Sequence, residues 1–159
     1  MDFRIGNGFD VHQLAPGFPL VLGGVKIAHT KGCVAHSDGD VLIHALCDAL
    51  LGALSLGDIG KHFPDTDDAY DDIDSTILLE RTYLMVKEKG YSLVNADLTL
   101  LLQRPKIAPY IEQMRSRLAE VLETDTENIS VKATTTEHLG YEGREEGVSA
   151  YAVVLLSSK

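Results

Sequence analysis

The 159-residue chain is poor in cations: 14 lysines and arginines stand against 24 aspartates and glutamates, a net charge of −10. Without a basic excess to displace counterions, nucleic-acid binding is excluded as a main function. An acidic protein that takes an anionic ligand must hold it with metal ions, helix N-termini and a few local cations. Cysteine is equally scarce. Cys33 and Cys47 lack metal-ligand spacing, and the expectation is two reduced thiols and no disulfide framework. The longest apolar run, Val41 to Leu56, is interrupted by His44 and Asp48 and is too short to span a bilayer. Residues 1–6 have neither the apolar core nor the cleavage site of a signal peptide. These absences predict a soluble, cytoplasmic protein with one domain over residues 1–159, long enough to bury a core of its own.

Several elements are readable from pattern. Leu20–Leu22 and Val25–Ile27 flank Gly23-Gly24, a two-residue hairpin signal, and a polar stretch through Lys31-Gly32 follows. Val41, Leu42, Ala45, Leu46, Ala49, Leu50 and Ala53 recur at helical spacing, with Ser37 or Asp38 as the expected cap and Gly57 as the stop. Residues 64–74 carry six aspartates but lack the glycine and the glutamate that a calcium-binding EF-hand loop requires. The expectation there is a mobile loop able to fold over a ligand. Asp74 or Ser75 starts a second helix, with Leu78, Leu79, Met85 and Val86 inward, that ends at Gly90. Val94 to Leu102 alternate as a strand. Pro109 opens a third helix, and Ile129, Val131 and Ala133 mark another strand. Val148 to Leu156 is apolar on both faces and reads as a central strand.

Five constellations carry chemistry. Asp10 and His12, two apart on a strand, point to one side of a sheet, and His44 falls in the first turns of a helix. One carboxylate and two imidazoles suit zinc, with a fourth position left open; the alternative is a pair of structural histidines. Gly6 and Gly8 allow either backbone or ligand to come close. Asp48, one turn after His44, is either a hydrogen-bond partner behind that ligand or a solvated carboxylate. His36-Ser37-Asp38-Gly39 forms an anion site at a helix start, or an ordinary cap. Asp58 to Pro64 is a turn-rich loop suited to a polyol. Lys132 to Glu137, with three successive threonines, looks like phosphate and magnesium contacts, or a solvent-facing strand end. Leu102 to Ala108 supplies cations and backbone groups for a nucleotide, or is simply a loop.

Taken in order, GFDVH, GGVKI, AHSDGDVLIHAL, LGDIGKHFPDTD, QRPK, VKATTTEHLGYEGR and the last apolar strand resemble, end to end, the 2-C-methyl-D-erythritol 2,4-cyclodiphosphate synthase family of non-mevalonate isoprenoid biosynthesis. The resemblance implies an intramolecular reaction of 4-diphosphocytidyl-2-C-methyl-D-erythritol 2-phosphate. Its 2-phosphate attacks the β-phosphorus, CMP leaves and the cyclic diphosphate forms. Positioning and charge neutralisation dominate such a step, which fits the lack of a nucleophile–base pair.

Residue by residue, the resemblance implies zinc on Asp10, His12 and His44, and magnesium or manganese held by Glu137 with substrate phosphates. His36 and Thr135 match positions that stabilise the transition state. Ser37 and Asp58, Ile59 and Gly60 match contacts to the erythritol and its phosphate, and Phe63, Pro64, Asp65, Thr66 and Asp67 close nearby. Leu102, Lys106, Ile107 and Ala108, with Thr134, Thr135, Thr136 and Glu137, match the cytidine-diphosphate site; Tyr141 and Arg144 match further contacts. The implied fold is α+β, a mixed sheet with helices on one face plus a small hairpin. Three such sheets pack about a threefold axis in a homotrimer, with active sites between subunits. Some members hold an isoprenoid diphosphate in the axial cavity, near the positions of Arg144 and Glu146. Asn7 stands where histidine is common and Tyr141 where phenylalanine is. Two other readings compete: a zinc phosphohydrolase that activates water, and a closed metal site that only holds an assembly together. The open coordination count and the threonines weigh against the second.

Overall fold

The computed structural model describes residues 1–159. Its first strand, β1 (Phe3–Pro16), sorts its side chains by parity: Phe3, Ile5, Phe9 and Val11 are exposed, whereas Gly6, Gly8 and Leu14 are buried on the other face with Asp10 and His12. A five-stranded mixed sheet forms around it. The hairpin β2 (Leu20–Leu22) and β3 (Val25–Ile27) stands apart, as its Gly23-Gly24 turn predicts. β4 (Lys31–Val34) borders β1, β7 (Gly147–Ser158) lies on its other side, and β5 (Tyr91–Leu101) and β6 (Ile129–Thr134) complete the order β4-β1-β7-β5-β6. All pairings are antiparallel except β5 with β6. The apolar C-terminal segment is thus the central strand, as expected.

Helix α1 (Val41–Ala53) lies across β1 and β7, with Leu42, Ile43, Leu46, Leu50 and Leu51 fully buried. The close approach depends on two glycines: a Cβ at Gly6 would fall on the Ala49 carbonyl oxygen, and one at Gly8 on that of Ala45. Backbone, not ligand, therefore occupies the space these glycines open, and it seats His44 over Asp10 and His12. After α1 come the single turn α2 (Ile59–His62), then α3 (Ser75–Glu88) against α1 and β5, and α4 (Ile111–Val121) against β6. A last turn, α5 (Gly140–Gly143), precedes β7. No helix is long and apolar enough to cross a membrane.

Several sequence expectations shift by a few residues. The cap of α1 is Asp40, not Ser37 or Asp38: its carboxylate accepts from Ile43 N (3.1 Å), Gly23 N (2.9 Å) and Gly24 N (2.7 Å). It thus joins the helix start to the hairpin turn, a long-range bond that no local cap motif encodes. The polar stretch runs into a short edge strand that begins at Lys31-Gly32. A register shift between Leu93 and Asn95 reverses the parity of β5, so Leu93 is buried in place of Val94. α1 ends at Ala53, where the chain turns through Ser55 at φ 55° before reaching Gly57.

Burial, with the neighbouring Asp38 charge, pushes the Asp40 carboxyl up to about 6 despite its three N–H donors. Asp40→Ala removes the cap and strands those donors. Chemical denaturation at fixed protein concentration should show a loss of about 3 kcal/mol. A loss below about 1 kcal/mol would assign the hairpin–helix junction to packing alone.

Candidate functional site

Strand parity and the register of α1 bring Asp10, His12 and His44 together. Asp10 Oδ2 lies 3.2 Å from His12 Nε2 and 3.2 Å from His44 Nδ1, and the two ring nitrogens are 3.1 Å apart. Tetrahedral zinc with ligands at about 2.0–2.1 Å sets ligand atoms about 3.3 Å apart, so this triangle fits a zinc-sized ion. The three residues form a metal-binding group. Burial pushes the Asp10 carboxyl upward, but hydrogen bonds and charge interactions with the two imidazoles outweigh it and hold the group well below the usual carboxylate range. For His44 burial acts downward, and Asp10 reverses it, so the imidazole is raised. Each group thereby favours the ionised form of the other, and a cation can take the place of the imidazole protons.

The triangle opens on a cavity of about 420 Å³. Of the predicted site residues, His36, Ser37, Ile59, Gly60, Phe63 and Asp65 line it with Asp10, His12 and His44. Ala35, Tyr70, Ile73 and Leu78 complete the wall and were not picked out from sequence. Tyr70 and Ile73 are the large apolar residues interrupting the acidic run, and that break in composition was the available signal. Tyr70 stacks edge-on to Phe63 at 5.6 Å. The acidic segment is pinned along one side of the cavity: Asp72 N donates to His36 O, Asp38 N donates to Ile73 O, and His36 Nε2 meets Asp71 Oδ1 at 2.7 Å. Asp58 lies outside the wall and caps α2 by accepting from Lys61 N, and Asp67 caps the turn at Asp68–Tyr70. Pro64 and Thr66 sit in the same loop without lining the cavity. Asp48 does not back His44. Its carboxylate accepts from Ile59 N at 2.7 Å, so it anchors the start of α2 where Ile59 and Gly60 face the cavity.

The remaining candidates gather elsewhere on the chain. Leu102 N donates to Thr134 O, and His138 N to Gln103 Oε1, which joins the Leu102–Ala108 loop to the turn after β6. Lys106 lines a second cavity of about 590 Å³ with Gln103 and Arg104. Leu102 and Ile107 are buried, and Ala108 is exposed. Thr134, Thr135 and Glu137 are exposed and Thr136 half-buried, with Glu137 at φ 54°; none of the four joins the metal-binding group or lines its cavity. Tyr141 donates to or accepts from Ser149 Oγ at 2.6 Å and faces a third cavity beside His12, and Arg144 pairs with Glu146 at 3.2 Å.

Fold and site together define an α+β protein with an open, three-ligand metal-binding group facing a ligand cavity. The chain belongs to the YgbB family, whose model matches residues 3–157. It is 59% identical, over 99% of both chains, to proteins of Bacillus cereus and Bacillus mycoides named 2-C-methyl-D-erythritol 2,4-cyclodiphosphate synthase. A solved 2C-methyl-D-erythritol-2,4-cyclodiphosphate synthase superposes with a TM-score of 0.90 at 42% identity, covering 97% of this chain and 100% of that one. The Plasmodium falciparum IspF–CDP complex gives 0.87 at 36% identity, covering 99% and 97%. The bifunctional IspDF of Campylobacter jejuni gives 0.96 at 46% identity; it covers 99% of this chain, which spans 43% of that longer one.

Proposed function

We propose that this chain catalyses the reaction for which its relatives are named. The 2-phosphate of 4-diphosphocytidyl-2-C-methyl-D-erythritol 2-phosphate attacks the β-phosphorus, the bond from that phosphorus to the α–β bridging oxygen breaks, and CMP departs with the bond electrons. No water is consumed, so the products are 2-C-methyl-D-erythritol 2,4-cyclodiphosphate and CMP alone. The observation that carries this reading is the Asp10–His12–His44 triangle opening on a walled cavity, in a chain 59% identical to named synthases.

Asp10 and Asp65 make that cavity anionic in a protein of net charge −10, so a polyphosphate needs cationic help to enter. Zinc bound by Asp10, His12 and His44 would supply Lewis-acid neutralisation of phosphate charge, and magnesium or manganese bound by Glu137 would supply more. His36, held on the cavity wall by donating its Nε2–H to Asp71, stands beside the charge that develops on the phosphates, and Ser37 donates from the adjoining wall. Ile59 and Gly60, tethered through Asp48, meet the erythritol. The Gln103–Lys106 loop and the Thr134–Glu137 turn form the other half of the site and take the cytidine and its diphosphate.

The two halves lie apart in one chain, and an uncovered apolar sheet face suggests how they meet. Phe3, Ile5, Phe9, Val11, Tyr151 and Val153 remain between 42% and 73% exposed on the face without helices. A homotrimer packed through that face would bury them and set one subunit's metal-binding half against its neighbour's nucleotide half. A cleft of about 500 Å³ on this face, lined by Phe9, Val11, Tyr141 and Glu146, lies beside the Arg144–Glu146 pair and suits an isoprenoid diphosphate at the axis.

Phosphorus NMR of the protein with the substrate, zinc and magnesium tests the activity. Two coupled resonances of a cyclic diphosphate appearing with CMP support the cyclase, whereas CMP with a linear product makes the chain a hydrolase. Within the cyclase, Thr135→Ala should lower turnover about 100-fold, the usual effect of losing one donor to a charged transition state. Its hydroxyl makes one exposed contact, accepting from Glu137 N at 3.3 Å, so the melting temperature should hold. Unchanged turnover would leave Thr135 a plain strand-end residue.

A further inference from the structure

We infer that Ser75, backed by Asp38, is a positioning residue for the metal ligand His44. Ser75 is the first residue of α3, fully buried, and 31 positions from His44 in sequence. Its Oγ lies 2.9 Å from His44 Nε2 and donates to Asp38 Oδ1. The Asp38 carboxylate also accepts from Ser75 N (2.9 Å) and Asp40 N (3.1 Å).

Counting protons fixes the direction of the chain of bonds. A carboxylate only accepts, so the single hydroxyl proton of Ser75 goes to Asp38. The Ser75 oxygen then has lone pairs alone for His44, and Nε2 must carry the ring hydrogen. With a metal ion in place of the Nδ1 proton, His44 is thereby held as the tautomer protonated at Nε2, and the free Nδ1 is the atom aimed at Asp10 Oδ2 and His12 Nε2. A carboxylate–hydroxyl–imidazole relay orients the ring and sharpens its basicity, the service that hydrogen-bond partners behind a metal ligand commonly perform. Ser37 Oγ is also 3.2 Å from Nε2 and accepts from Gly39 N. With Nε2 serving Ser75, the Ser37 proton stays available on the cavity wall. Two serines around one imidazole thus divide the work, one behind the ring and one toward the ligand.

The inference rests on the reading of Asp10, His12 and His44 as a zinc site. Its test is a titration of metal-free wild type, Ser75→Ala and Asp38→Asn with zinc against a chromophoric chelator. Circular dichroism monitors folding, and proton NMR of the zinc-loaded forms follows the His44 ring N–H. Ser75→Ala should bind zinc about 10- to 100-fold more weakly, and its ring N–H should exchange faster with solvent. Asp38→Asn keeps the side-chain volume but replaces the charged acceptor of the Ser75 proton with a weaker, neutral amide oxygen, so it should weaken zinc binding in the same direction. It also decides the matter should the alanine variant not fold. Wild-type affinity in either folded variant overturns the inference for that residue. Wild-type protein that takes up no zinc overturns the site reading instead.

Discussion

His44→Ala should abolish zinc binding and lower turnover by about three orders of magnitude while the chain stays folded. The imidazole is one of three ligands, and losing about 4 kcal/mol of charge neutralisation at the reacting phosphates corresponds to that factor. Folding is spared because the ring sits at the cavity edge, where α1 presents it between Asp10 and Ser75, and the hydrophobic core lies on the other sides of that helix. Zinc content by atomic absorption, far-ultraviolet circular dichroism and the phosphorus assay check the three statements separately. A variant that keeps a full equivalent of zinc would remove His44 from the ligand set, and wild-type turnover without zinc would remove the metal from the mechanism.

Acid should act on this cluster with a definite sign. In the metal-free protein the folded His44 holds its proton more tightly than the unfolded chain, whose ordinary value is 6.5. That group's contribution to stability is therefore complete below 6.5 and disappears as pH rises through the higher folded value. Asp10, held well below its ordinary 3.8, behaves oppositely: its contribution is present above 3.8 and lost as pH falls through the lower folded value. Zinc competes with the imidazole protons but not with a carboxylate that is already ionised, so zinc affinity should rise with pH across the histidine range.

The parts of this site legible in the sequence are those set by local geometry. Period-two alternation places Asp10 and His12 on one face of β1, helical periodicity places His44 in the first turn or two of α1, and both survive intact in the fold. The glycines at 6 and 8 announced a close approach, but spacing could not say whether backbone or ligand makes it; the Ala45 and Ala49 carbonyls do. What stayed hidden depends on contacts across long stretches of chain. Asp40 caps α1 by also gripping a turn 16 and 17 residues earlier, Asp48 holds Ile59 and not His44, and Asp71 reaches His36 because two loops pair. β4 escaped notice because four half-polar residues at a sheet edge carry no usable alternation. Thr135 and Glu137 likewise neither join the metal-binding group nor line its cavity, and motif order alone does not reveal this.

Val153→Glu should convert the protein to a folded monomer of 17.3 kDa that binds zinc and turns over no substrate. Val153 lies on the helix-free face of the central strand, 43% exposed, between Asn7 on β1 and Asp97 on β5. In the monomer a glutamate there points to water and meets only the modest repulsion of Asp97 across the strand pair. In a trimer packed through this face the same side chain enters three times, and each uncompensated carboxylate costs several kcal/mol to desolvate. The outcome separates two properties that His44→Ala leaves joined. Asp10, His12 and His44 come from one chain, so zinc binding needs no neighbour, whereas on the proposed trimer turnover requires the Thr134–Glu137 turn to meet the metal-binding half. Sedimentation velocity, zinc titration and the phosphorus assay therefore give a three-part signature: monomeric, zinc-replete, inactive. A variant that sediments as a trimer would move the interface off this face. An active monomer would mean that one chain closes its own site, with the loop after β6 swinging onto the cavity of the same subunit.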